Sequence, residues 1–144
     1  MRIAVGSDHA GFELKAVLAD HLRTMGHEVI DLGTDSTDRV DYPDFGAAVG
    51  RSVAGGDTDL GVCVCGTGIG IAMAANKISG IRAATVHDVT SARLTRQHNN
   101  ANVLCLGERL TGEEVAKDAV SAWLDAEFEG GRHSPRVAKI DALS

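Results

Sequence analysis

Short, continuous apolar runs alternate along this chain with longer stretches in which apolar positions recur every three or four residues. Buried strands separated by amphipathic helices leave this pattern. Arg2-Ile3-Ala4-Val5-Gly6 predicts a first strand. Leu14, Leu18 and Leu22 then fall on one face of a helix predicted from about Phe12 to Met25, with Gly26 as its stop. His27 to Gly33 predicts a second strand, and Tyr42-Pro43 starts a helix carrying Phe45, Val49 and Val53 up to Gly55-Gly56. Leu60 to Val64 is the third predicted strand, and Ala72, Met73, Ala74 and Ala75 suit the helix after it. Arg82 to Val86 predicts a fourth strand, with Asp88 or Thr90 capping the helix that follows, and Ala101 to Leu106 a fifth. Thr111-Gly112-Glu113-Glu114 resembles a capping box ahead of a helix near Val115 to Leu124. Glu129-Gly130-Gly131-Arg132-His133-Ser134-Pro135-Arg136 breaks the periodicity, and Val137 to Leu143 predicts a short terminal helix. Strand–helix alternation of this kind implies an α/β fold with a five-stranded parallel sheet.

Size and charge narrow the function classes. The 144 residues, 44% of them hydrophobic, fit one globular domain spanning 1–144, with a tail at about 129–144. A net charge of -6 argues against general affinity for nucleic acid or an anionic membrane, although local basic sites remain able to hold phosphate. No apolar segment reaches the roughly 18 residues of a membrane span, and the first residues lack a secretion signal, so a cytoplasmic protein is expected. Cys63, Cys65 and Cys105 are too few for a disulfide framework, and the Cys-x-Cys pair is not a redox Cys-x-x-Cys. Cys63 and Cys105 are expected to pack in the core. No spacing of His, Cys or acidic residues makes a metal signature, so no metal is expected.

The chemistry is expected around Val62-Cys63-Val64-Cys65-Gly66-Thr67-Gly68-Ile69-Gly70, where an apolar strand stops at a thiol and glycine-rich backbone follows. Glycines let the chain turn tightly and expose N–H groups, which together with a helix start can hold an anion and favour a thiolate. Alternation would put Cys63 and Cys65 on one face, but the end of the strand leaves Cys65 room to depart from it. Thr67 either caps the helix or donates to developing oxygen charge. Asp8 and His9 follow the first strand and Gly107-Glu108-Arg109 the fifth, so these groups can meet the thiol at the carboxyl edge of the sheet. Asp8 and His9 are equally readable as turn residues, and Asp41, Asp44 and Asp57 as local acceptors of backbone N–H groups. His98 lies before the fifth strand, where it packs on its helix, moves a proton, or serves a neighbouring subunit. His21, His27, His87 and His133 are expected to be surface or packing residues. Arg132 and Arg136 beside flexible backbone either face solvent or reach phosphate.

Taken in order, several segments resemble the RpiB/LacA family of sugar-phosphate isomerases, and most closely its type B ribose-5-phosphate isomerase branch. These are Gly6-Ser7-Asp8-His9-Ala10-Gly11-Phe12, Asp41-Tyr42-Pro43, Cys65-Gly66-Thr67-Gly68-Ile69-Gly70, Ala74-Ala75-Asn76-Lys77, Gly80-Ile81-Arg82-Ala83, Arg96-Gln97-His98-Asn99, and Glu129-Gly130-Gly131-Arg132-His133 with Arg136. The resemblance covers nearly the whole chain. It implies a Rossmann-like three-layer sandwich, a homodimer or homotetramer, a phosphorylated sugar as substrate, and aldose–ketose isomerisation of ribose 5-phosphate without a cofactor. It further implies that Cys65 is the proton-transfer base and that Thr67 with the backbone of Gly66, Gly68, Ile69 and Gly70 stabilises an enediolate. Asp8 and His98 would serve sugar binding and ring opening, His9, Arg132 and Arg136 phosphate binding, and Asn99 and Arg109 substrate or intersubunit contacts. One branch of the family uses a carboxylate in place of this thiol; Cys65, with Ala74 inside Ala72-Met73-Ala74-Ala75-Asn76, resembles the cysteine-bearing branch. A different class, a non-enzymatic phosphosugar-binding regulator, is open to a chain whose thiol merely packs.

Overall fold

The computed structural model describes residues 1–143. Its strands are β1 (Arg2–Ser7), β2 (Glu28–Asp31), β3 (Leu60–Cys65), β4 (Ala83–Thr85) and β5 (Val103–Gly107). Its helices are α1 (Phe12–Thr24), α2 (Tyr42–Ala54), α3 (Ile69–Ala75), α4 (Val89–Asn99), α5 (Glu113–Asp125) and α6 (Ser134–Asp141). The five strands form one sheet in the order β2-β1-β3-β5-β4, and every neighbouring pair is parallel. Helices cover both faces, giving the Rossmann-like α/β arrangement expected from the alternating pattern. Residue 144, the end of the expected tail, lies outside the described residues.

Period-2 alternation divides the core cleanly. Ile3, Val5, Val62, Val64, Leu104 and Leu106 point to the layer of α1, α4 and α5, where they meet Leu14, Leu18, Leu22 and Trp123. Ala4, Cys63, Cys65, Val103 and Cys105 point the other way, toward Val49 of α2 and Ile71, Ala72 and Ala75 of α3. All three thiols therefore share one layer. Cys65 does not leave the alternation at the strand end: it is the last residue of β3 and is buried with Cys63 and Cys105.

Two local expectations are corrected. The capping box before α5 does not form; Gly112 holds the N-cap position without a side-chain bond, and the Thr111 hydroxyl is buried with no hydrogen-bond partner. Thr111 is turned inward because its N–H is committed to the Gly107 carbonyl at 2.9 Å, which closes the turn after β5. Asp41 occupies the N-cap position of α2 without a side-chain bond; its carbonyl accepts the Asp44 N–H instead. His133, expected to be a surface or a packing residue, is buried. Asp88, by contrast, caps α4 by accepting the Ser91 N–H at 2.6 Å.

Candidate active site

Strand order reverses between β1 and β3, since β2 lies outside β1 while β5 and β4 lie beyond β3. Open parallel sheets bind ligands at the carboxyl ends of strands flanking such a reversal. β3 ends there at Cys65, which is 4% exposed, and the Gly68 N–H donates to its Sγ at 3.1 Å. Gly68 has φ +78°, a left-handed conformation that suits glycine, and a Cβ there would lie 2.8 Å from the Leu106 carbonyl carbon. The Thr67 hydroxyl accepts the Ile69 N–H at 3.2 Å, one residue before the helix's N-cap. Thr67 is thus a turn ligand beside the cap, and the N-cap position itself belongs to Gly68. Because α3 has only seven residues, the anion-holding capacity of this loop comes from its individual N–H groups more than from a long helix dipole.

The turn after β5 is bonded onto this loop. Glu108 N–H donates to the Cys65 carbonyl and Arg109 N–H to the Gly66 carbonyl, each at 3.0 Å. Gly107 permits the approach, as a Cβ there would sit 2.5 Å from the Thr67 carbonyl carbon. The Arg109 side chain then lies along Gly66, and the Glu108 carboxylate accepts the Leu14 N–H at 2.6 Å, tying the turn to α1.

β1 contributes the third corner. Asp8 is buried, and its Oδ1 accepts the Ala10 and Gly11 N–H groups at 3.0 and 3.1 Å. Its structural role as a turn carboxylate is therefore real, yet it also lines the cleft. His9 Nδ1 contacts the backbone of Val40 at 3.2 Å, which fixes the ring between β1 and the loop before α2. That loop is itself anchored by Lys15, 2% exposed, whose Nζ donates to both carboxylate oxygens of Asp31 at 2.7 and 2.8 Å and to the Thr34 carbonyl at 2.6 Å.

The result is an open cleft of about 500 Å³ lined by Asp8, His9, Tyr42, Cys65, Thr67 and Arg109, with Gly66, Ile69 and Gly70 in its wall. Tyr42, whose Asp41-Tyr42-Pro43 segment carries part of the family resemblance, lines it, and so does Met73, which was not expected. Gly70 makes room for the phenol, since a Cβ there would overlap the Tyr42 ring. Cys63 and Cys105 are packing thiols as expected, and the hydrogen bond with Cys63, followed by burial, pushes the Cys105 thiol well above the usual thiol range.

His98, Asn99, Arg132 and Arg136 do not line this cleft. α4 runs back from the carboxyl edge of the sheet, so His98 and Asn99 at its end sit at the opposite edge, just before β5. The Glu129 N–H donates to the Gln97 carbonyl at 3.0 Å and brings the 129–133 turn onto that helix end. His98 and His133 stack there, with ring centroids 4.5 Å apart and planes 12° from parallel. Desolvation, then the Arg132 charge, holds the His133 imidazole below the ordinary histidine range. Arg132 and Arg136 extend from this corner, exposed. Asn99 borders a separate groove of about 440 Å³ with Asn76, Arg82 and Ile140. Among the described residues no thiol or imidazole lines that groove, and its Asp141 is bound to Arg82 at 2.8 Å.

With this geometry in hand, comparison with known proteins is decisive: residues 3–140 match the family model described as Ribose/Galactose Isomerase. The chain belongs to the ribose/galactose isomerase family. It is 52% identical over 142 residues to ribose-5-phosphate isomerase B of Escherichia coli (strain K12), covering 99% of this chain and 95% of that protein. D-erythrulose-4-phosphate isomerase of Pectobacterium atrosepticum is 45% identical over 141 residues, with 97% of this chain and 93% of that protein covered. Among solved structures, Clostridium thermocellum ribose-5-phosphate isomerase B superposes with a TM-score of 0.98 at 52% identity, covering 99% of this chain and 97% of that one. Membership in the ribose/galactose isomerase family supports an enzymatic role, the isomerisation of a sugar phosphate.

Proposed function

We propose that the chain is a ribose-5-phosphate isomerase that works as a homodimer, with each thiol cleft completed by His98, Asn99, Arg132 and Arg136 of the partner subunit. The observation that carries this reading is the Cys65 sulfur on the cleft floor, accepting the Gly68 N–H at 3.1 Å beside Asp8, His9 and Arg109. Its similarity to ribose-5-phosphate isomerase B supports the choice of sugar. Asp8 and His98 assist ring opening of the bound ribose 5-phosphate. The Cys65 thiolate then removes the C2 proton, leaving a cis-enediolate whose oxygen charge meets Thr67 and the backbone N–H groups of the 66–70 loop. Return of that proton to C1, with the O2 hydroxyl proton passing to O1, gives ribulose 5-phosphate. The electrons move within the sugar, so the reaction needs no external oxidant. Arg132 and Arg136, with His9, hold the phosphate, and two copies are required because one chain places these groups at opposite edges of its sheet.

Purified protein assayed with ribose 5-phosphate in the presence of a chelator should form ketose and exchange solvent hydrogen at C2. Saturable binding with neither reaction would identify a phosphosugar-binding regulator instead. A second reading, a different sugar phosphate, is favoured by the 45% identity to a protein named for erythrulose 4-phosphate. Comparing kcat/KM for ribose 5-phosphate, allose 6-phosphate, galactose 6-phosphate and erythrose 4-phosphate decides between them, since discrimination lies in transition-state contacts. A preference for a sugar other than ribose 5-phosphate overturns the substrate and leaves the proton transfer standing.

A further inference from the structure

His98, Glu129 and His133 bring two imidazoles and one carboxylate together, with one potential ligand atom from each lying within 4.8 Å of the others. They come from two segments, the end of α4 and the turn before α6, which the Glu129 N–H bond to Gln97 holds in place. His133 is only 6% exposed, and its buried Nε2 has no hydrogen-bond partner. Buried polar nitrogens are ordinarily satisfied, so this one is open to a ligand. Glu129 Oε2 lies 3.5 Å from it.

We infer that His98, Glu129 and His133 form a site for a divalent transition-metal ion of the zinc class, and that its occupation inhibits the isomerase. Two neutral imidazoles and a carboxylate, with water in the fourth position, are a ligand set that zinc accepts, whereas calcium and magnesium prefer oxygen ligands alone. Tetrahedral coordination at ordinary zinc–ligand lengths spaces the ligands by about 3.4 Å. The His133–Glu129 pair already has nearly that spacing, at 3.5 Å. His98, half-buried and stacked on His133, supplies the third ligand by tilting its ring out of the stack. The ion then occupies the imidazole assigned above to ring opening. Inhibition rests on that reading of function; metal binding does not.

Zinc binding to the purified full-length chain is measured by competition with a chromogenic chelator, and ketose formation is followed over the same zinc concentrations. Binding should persist in Cys65→Ser and weaken by about tenfold or more in Glu129→Gln, since even the loss of outer-shell support costs this much. Glu129 is exposed, so its variant should fold normally, keep its zinc-free turnover and lose its zinc sensitivity. A chelator should restore the zinc-treated parent. If zinc binding vanishes in Cys65→Ser while binding and inhibition are both unchanged in Glu129→Gln, zinc acts on the thiol and the inference is overturned. Equal competition by magnesium overturns it as well. Zinc binding that depends on Glu129, in a chain without isomerase activity, supports the site and overturns the reading of function.

Discussion

The thiol cleft and the stacked-histidine corner are built in opposite ways. In the cleft, strand ends deliver Asp8, Cys65 and Gly107, and backbone hydrogen bonds at 3.0 Å join the turn after β5 to the loop after β3. At the other edge, His98 sits at the end of α4, Arg132 and His133 in a short turn and Arg136 in the first turn of α6, and the buried His133 Nε2 makes no hydrogen bond, with Glu129 Oε2 at 3.5 Å. Parallel strands fix positions through a shared ladder, so a site at their ends is assembled as soon as the sheet is. Groups on a helix terminus and tail have no such ladder. On the function proposed above, the first region suits chemistry that needs exact placement, and the second, His98 apart, recognition that closes around a substrate.

The sharpest way to break this division is to remove the thiol. Cys65→Ala should lower turnover by about 10²- to 10⁴-fold, the usual worth of a positioned acid–base group, with thermal unfolding little changed. Near-normal ketose formation would take the base role from Cys65. Mixing inactive Cys65→Ala and His98→Ala chains after reversible dissociation should recover about a quarter of wild-type activity, because half the random dimers are mixed and each carries one intact site. No recovery in demonstrated mixed dimers would deny that the two regions meet across an interface.

Substitutions at the recognition corner should cost less. Arg132→Ala and Arg136→Ala are each expected to lower kcat/KM for the phosphorylated sugar by about 10- to 100-fold, as loss of a charged hydrogen bond predicts, with little effect on the unphosphorylated sugar. Equal small losses on both sugars would place these arginines outside phosphate recognition. Gly107→Ala should destabilise the fold by about 1–3 kcal/mol, because its Cβ would overlap the Thr67 backbone at 2.5 Å. Gly112→Ala, which meets nothing within 4 Å, is the control, and similar melting temperatures for the two variants would show that the cleft is looser than its bonds imply.

The smallest effect is one of pH. The folded His133 imidazole lies below its ordinary value of 6.5, so on acidification the unfolded chain takes up the proton first. Its contribution to stability is complete above about pH 6.5 and is lost as pH falls through the lower folded-state value. His133→Gln should therefore flatten the fall in melting temperature between pH 7.5 and 5.5, and an unchanged slope would refute the assignment.

Much of this was legible in the chain. Leu14, Leu18 and Leu22 marked the buried face of α1, and the valines and cysteines of β3 marked a strand buried on both sides, because each needs only its own periodicity to be recognised. Asp8, Cys65 and Arg109 could be grouped because each follows a strand. One failure came from a side chain with rival partners: Thr111 looked like a cap but turned inward once its N–H was taken by Gly107. His133 was open to a surface or a packing role, and nothing nearby in sequence announces its stack on His98. Met73 was missed because its place in the cleft depends on packing between elements that are distant in sequence.

Sequence alone determined the order of strands and helices, the inward faces of each, the thiol followed by glycines and the family to which they belong, since these depend on local period and on residue type. Tertiary structure decided which groups share a cleft. Chain order already put His98 before β5 and Arg109 after it, but only packing brings the β5 turn within hydrogen-bond reach of the Cys65 loop and the 129–133 turn onto the end of α4. Local interactions choose an element; only packing of the elements against one another fixes where their ends meet.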